Sequence, residues 1–521
     1  MIAKGFINCK VYSKFKPLKV YEGFVVFGGR VAYLGSEERV KSIIDRLGGE
    51  LIDLKGCSVM PGFIDSHLHL SSLGESLRSL DLRGVRSIKD IKNLLKEYAL
   101  RSTHSWLLGH GWDHELFEEG RLLNRYDLDE VVVDRPVVLF RVCLHLAVLN
   151  SRALELLKIN ERFSNSPNVL RDGNGVPTGV VREDVLGEIV KELRSDVDIL
   201  IDDLRSAINH LLSNGITAAG FMNCHIADFY ALQLIKLSQN LPLRVGVYLS
   251  SEYVDLMDRL KIVGGLGDEY LRLLGVKVFV DGSLGARTAL LSEPYQDEPN
   301  TCGMQVTSEE ELSRILQIAT KLKLQVAMHS IGDKAVDISL KSYSSLSNVR
   351  GCRHRIEHMS LVRDDQLIQA SELGIIAVVQ PRFVVSDWWV VERVGLNRIK
   401  YVYPFNKINS KLVMGFSSDA PVEPVSPWET IYAAVTRGEY EGVPLSSYTR
   451  DESLSLVDAL HAYTYGSAYA LFLEGVVGTL EVGKYADFIV VDKDPLECDI
   501  REVRKIKVLE TYVSGVKVYH I

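Results

Sequence analysis

Pro61-Gly62-Phe63-Ile64-Asp65-Ser66-His67-Leu68-His69 decides how this chain is read. An apolar strand, Cys57-Ser58-Val59-Met60, runs into a Pro-Gly step and then delivers two histidines at i and i+2. On a strand, residues two apart share a face, so both imidazoles can reach one metal ion. A pair of surface histidines is the alternative. Its weakness is that matching ligands recur further along, each where an apolar strand ends.

Working outward, residues 1 to 60 read as short strands and turns. Phe24–Phe27, Gly28-Gly29 and Arg30–Leu34 carry a hairpin signal. The last fifty residues look similar, with strands at Asp487–Asp492 and Lys507–Val513. Two all-β ends suggest one small sheet domain built from both termini. From about residue 200, helix and strand alternate. A helical pattern over Asp202–Ser213 stops at Asn214-Gly215. Strands follow at Ile216–Gly220, Leu243–Leu249, Gly275–Val280, Leu324–Met328, Arg353–Glu357, Ile375–Val379 and Lys411–Phe416. With the strand before His67, this is the pattern of a (β/α)8 barrel. Residues 71 to about 200 are too long for one βα unit and read as a mixed α/β insert over the barrel mouth. The expected class is α/β. Residues 1–60 plus 475–521 form a β-sandwich, 61–75 plus 200–474 the barrel, and 76–199 the insert.

Composition narrows the function. Lys and Arg number 60 against 68 Asp and Glu, a net charge of −8, so no global basic field recruits nucleic acid or an anionic membrane. Seven scattered cysteines, none in C-x-x-C, fit a reducing compartment. Neither a secretory h-region nor a spanning apolar run is legible, so a cytoplasmic protein with a small-molecule substrate is expected.

In a barrel, chemistry sits at the carboxyl ends of strands. There the chain places His67 and His69, Lys277 running into Asp281, then His329, Glu357-His358 and Asp419. Neutral imidazole and carboxylate suit Zn, Fe, Ni or Co, and a bound divalent ion lowers the pKa of water towards about 7. An Asp beside that water can move its proton to a leaving nitrogen. Lys277 is either an ammonium paired with Asp281 or a substrate carboxylate, or a carbamylated lysine that ligates through oxygen.

The arrangement resembles the amidohydrolase superfamily, and within it the amidohydrolase-3, YtcJ-like branch that includes N-substituted formamide deformylase. The strings that carry this are PGFIDSHLHL (61–70), KVFVDGSLGARTALLSEPY (277–295), MHSIGDKAVD (328–337), RIEHMSLV (355–362), VVQPRF (378–383), GFSSDAPVEPVSPWETIYAAVTR (415–437) and GTLEVGKYADFIVVDKDP (478–495). The resemblance implies His67, His69, Lys277, His329, His358 and Asp419 as ligands of one or two divalent ions, zinc first among them. It implies Asp419 as acid–base, carbamylated Lys277 as a bridge, and a homodimer. His145 is a candidate oxyanion donor, with a satisfied core histidine as its alternative. Trp112, Asp281 and Phe383 are expected on the substrate side. The insert departs from the branch at His114 and Cys143, where acidic residues are usual. The implied activity is hydrolysis of a non-peptide carbon–nitrogen bond. The alternatives are a deaminase, a hydrolase of a carbamate, cyclic amide or ester, and a non-catalytic binding protein on the same fold.

Overall fold

Pro61 and Gly62 switch the chain from one sheet to another. The Gly62 N–H donates to the Asp487 carbonyl in the terminal sheet, and the next N–H, on Phe63, donates to Gly215 at the foot of a barrel strand. A Cβ on Gly62 would lie 2.4 Å from the Thr217 side chain, so this crossing needs glycine. The Cys57–Met60 strand and the His-x-His strand are therefore two strands, Ser58–Pro61 and Phe63–Leu68, where the sequence suggests a single run.

The computed structural model describes residues 2–141, 146–193, 196–239, 241–346 and 349–521. Eight parallel strands form the central sheet: β1 (Phe63–Leu68), β2 (Ile216–Cys224), β3 (Arg244–Ser250), β4 (Leu271–Phe279), β5 (Gln325–Ser330), β6 (Arg355–His358), β7 (Ile376–Val379) and β8 (Met414–Phe416). Each pairs in parallel with the next. Side chains close the seam between β8 and β1. Ser66 Oγ donates to the Phe416 carbonyl at 2.8 Å, and the Ser418 N–H donates to the Asp65 carboxylate. The result is a nearly closed (β/α)8 barrel, with Ile64, Ala218, Tyr248, Leu274 and Ala327 packed against Leu471, Leu473 and Val477.

Both termini build the accompanying β structure. One sheet runs Arg30–Gly35, Gly23–Phe27, Lys4–Ile7, Glu50–Asp53. In the other, the early strand Ser58–Pro61 pairs antiparallel with the late strand Phe488–Val491. Phe6, Phe24, Phe488 and Tyr512 stack between them, which supplies the apolar payload that so small a domain needs. Arg244, at the start of β3, forks onto Asp487 at 2.7 and 3.0 Å between the rings of Tyr270 and Tyr485.

Ser71–Ala207 with Tyr230–Ile235 form a separate compact unit. Its six-stranded sheet runs Val169–Arg171, Pro177–Arg182, Leu146–Leu149, Val137–Arg141, Leu107–Trp112, Leu80–Asp81. Among the described residues, no helix is long and apolar enough to cross a membrane.

Candidate metal centre

The seam that closes the barrel also assembles the site. His67 is fully buried on β1, and its carbonyl accepts from the Asp419 N–H at 2.9 Å. His69 lies one residue past the end of β1, His329 sits within β5, and His358 ends β6. His358 and Asp419 hold φ of +75° and +60°. A non-glycine residue in that region costs on the order of 1–3 kcal/mol, and such strain gathers where a side chain must be aimed.

The hydrogen bonds fix which nitrogen of each ring faces the centre. His67 Nδ1 donates to Glu357 Oε2 at 2.5 Å, because Arg355 holds that carboxylate ionised. His69 Nδ1 donates to the Met222 carbonyl at 3.2 Å. His358 Nδ1 donates to Gln380 Oε1 at 2.7 Å, and Gln380 Nε2 donates to Ser417 Oγ, which orients the amide. With Nδ1 engaged in this way, Nε2 is the nitrogen each ring turns toward the centre. Asp419 Oδ1 lies 3.3 Å from His67 Nε2 and 3.2 Å from His69 Nε2, and it is buried with no hydrogen bond. Two ring nitrogens and a carboxylate oxygen converging at this separation, with each ring's Nδ1 proton committed elsewhere, suit a cation among them. Ligand atoms of His67, His358 and Asp419 all lie within 4.8 Å of one another. The donor set therefore fits a divalent metal.

Electrostatics agree. Burial would raise the Glu357 carboxyl, but Arg355 and His67 hold it well below the usual range. Burial likewise opposes ionisation of Asp419, and the surrounding histidines overcome it. His329 is pushed down to about 3, first by burial and then by Lys277, so its ring is neutral. Its Nε2 donates to the Gly282 carbonyl at 2.9 Å. Burial also pushes Lys277 down to about 8. Its Nζ lies 3.4 Å from His67 Nε2, and among the described residues no carboxylate is within ion-pair distance of it.

The structure thus brings His67, His69, Lys277, His329, His358 and Asp419 together around one cavity of about 350 Å³, with Phe383 in its wall. Two substrate-side expectations are corrected. Trp112 is fully buried in the insert's own core, and its indole N–H donates to the Leu139 carbonyl. Asp281 is 1% exposed and accepts the N–H groups of Leu290, Ile331 and Gly332, so it ties down the loops after β4 and β5. Burial raises it to about 7 despite those bonds. His145 lies outside the described residues. His114 accepts from Arg141 Nε and stays within the insert. Sequence reasoning named Glu357 at its strand end without giving it a role, and missed the supporting partners Arg355 and Gln380. The available signal was two opposite charges, Arg355 and Glu357, at i and i+2 in a strand that is otherwise buried.

Comparison with known proteins places these features in a family. The model described as "Amidohydrolase family" matches residues 50–519. A putative amidohydrolase, YtcJ, of Bacillus subtilis is 33% identical over 98% of this chain and 98% of its own length. An N-substituted formamide deformylase of Arthrobacter pascens is 26% identical over 98% of this chain and 97% of its own. The crystal structure of an uncharacterised metal-dependent hydrolase from Pyrococcus horikoshii superposes with a TM-score of 0.80. It is 41% identical and covers 96% of this chain and 99% of that one.

Proposed function

Because this chain belongs to the amidohydrolase family, we propose that it hydrolyses a carbon–nitrogen bond other than a peptide bond, in an amide or N-acyl group of a small molecule. The observation that carries the reading is the convergence of His67 Nε2, His69 Nε2 and the buried Asp419 Oδ1, which has no hydrogen bond of its own. His67, His69, His358 and Asp419 would hold a divalent metal, zinc by preference for imidazole and carboxylate donors. His329 and Lys277 extend the set to a second ion if Lys277 is carbamylated. There the neutral Nζ adds to the carbon of carbon dioxide and loses a proton to solvent, leaving an anionic carbamate. When bound, the metal supplies a Lewis acid that polarises the substrate carbonyl and acidifies water.

The chain's own groups do the rest. Asp419 takes the proton of the attacking water on its carboxylate and delivers it to the departing nitrogen. Glu357 fixes the His67 tautomer, and Gln380 that of His358. Phe279, Leu284, Ile331 and Phe383 line the cavity and exclude bulk water. The homodimer implied by the resemblance and the cytoplasmic location expected from composition belong to the same proposal, and light scattering decides the first.

The test is a screen of formamides and other N-acyl amines with metal-reconstituted protein, run beside chelator-treated protein. Hydrolysis that depends on added metal supports the reading. A metal-loaded protein that turns over no amide, carbamate or ester contradicts it.

A further inference from the structure

Away from the ligand cluster, the cavity wall is mostly apolar. Phe279, Leu284, Ile331, Phe383 and Val422 line it, Ser283, Ser360 and Tyr403 add hydroxyls, and among the described residues Asp387 is the one charged group outside the cluster. Among the described residues no Arg lines it, and its one Lys is Lys277.

Asp387 is built into position. Its Oδ2 accepts the Tyr403 hydroxyl at 2.5 Å. Tyr403 is 3% exposed, its N–H donates to the Ser360 carbonyl at 2.7 Å, and its own carbonyl accepts from buried Arg437 at 3.0 Å. Yet Asp387 has no ion pair and its Oδ1 no hydrogen bond among the described residues. The neighbouring guanidiniums are committed elsewhere. Arg393 donates to the Leu284 and Gly285 carbonyls and stacks on Trp389, while Arg382 faces Glu423 and Glu429. Burial raises the Asp387 carboxyl to about 6, against the Tyr403 hydrogen bond and the more distant Arg393 charge, which lower it. A carboxylate anchored through one oxygen in a largely apolar wall, with no protein donor on the other, suits a ligand cation.

We propose that Asp387, aimed by Tyr403, selects substrates whose non-reacting end carries an ammonium or amidinium group. This rests on the hydrolase reading and adds the substrate class to it: a small cationic amide, with carboxylate-tailed N-acyl compounds disfavoured because, outside the ligand cluster, the described wall offers them no cation.

The test uses three amides of matched length: mono-formyl diaminobutane, N-pentylformamide and N-formyl aminovalerate. Expected kcat/KM falls in that order, by about tenfold between the ammonium and the neutral tail. In Asp387→Asn the ratio between those two collapses to about one, and in Asp387→Lys the order turns towards the carboxylate. Equal rates for all three tails in the wild type, or an unchanged ratio in Asp387→Asn, overturn the proposal while leaving the hydrolase reading intact. If none of the three is hydrolysed, calorimetry on the metal-loaded protein separates the two readings. Preferential, Asp387-dependent binding of the ammonium compound supports the cation site even though turnover fails, and binding that ignores the tail overturns it.

Discussion

Replacing Glu357 by alanine and by glutamine separates two roles of one carboxylate. Arg355, Glu357 and His67 are all fully buried. Glu357 takes both Nε and Nη2 of Arg355 and the Nδ1 proton of His67. Arg355 reaches further, to the Ser66 carbonyl at 2.8 Å and the Tyr248 hydroxyl at 3.2 Å, so it ties β6 to β1 and β3. Alanine leaves the guanidinium in the interior without its counter-charge, at a cost of about 3–5 kcal/mol. Glutamine keeps the shape but offers one acceptor oxygen and an N–H2 that must face a donor. His67 then loses its fixed tautomer, and metal affinity should fall by about 10- to 100-fold, on the order of 1.4–2.7 kcal/mol. Denaturant unfolding of metal-free protein reads the first effect, and competition with a chromophoric chelator reads the second. A glutamine variant with wild-type metal affinity, together with an alanine variant of wild-type stability, would refute the reasoning.

Asp419→Asn should cut turnover by on the order of a hundred- to ten-thousand-fold, with the barrel intact by circular dichroism; steady-state rates check it. Lys277→Ala should lose metal by elemental analysis, with partial recovery of activity in millimolar short carboxylic acids. Full metal and activity in that variant would remove the carbamate. Arg244→Ala should lower stability by about 3–5 kcal/mol by stranding Asp487, whereas the paired replacement Arg244→Met with Asp487→Leu should cost less; a denaturation series decides. His354 is buried, accepts the Val326 N–H on Nδ1, and is pushed by burial down to about 4 from 6.5. The unfolded chain takes up that proton first as pH falls, so stability should be lost between pH 6.5 and about 4, up to about 3 kcal/mol from this group. His354→Asn should flatten the unfolding midpoint over that window.

Much of this was legible because a barrel puts its chemistry where apolar strands stop. His67, His329, His358 and Asp419 could be read from strand ends alone, since buried parallel strands leave long hydrophobic runs that mark their own limits. Lys277 stood out as a charge within such a run. What was not legible depends on partners distant in sequence. Glu357 matters through His67, 290 residues away, and Asp387 through Tyr403 in a separate loop. Trp112 misleads because an aromatic after Gly-His-Gly reads equally well as pocket or core, and only the sheet of the insert decides for core. The break at Gly62 is hidden because both flanking strands are apolar, and the switch shows only in which carbonyl each N–H finds.

The most direct test of the central claim is metal content per chain, measured by elemental analysis on protein purified without chelator and again after reconstitution. The account predicts at least one ion per chain, and two where Lys277 is carbamylated, falling when His67 or Asp419 is replaced. A protein that holds no metal even after reconstitution would contradict it.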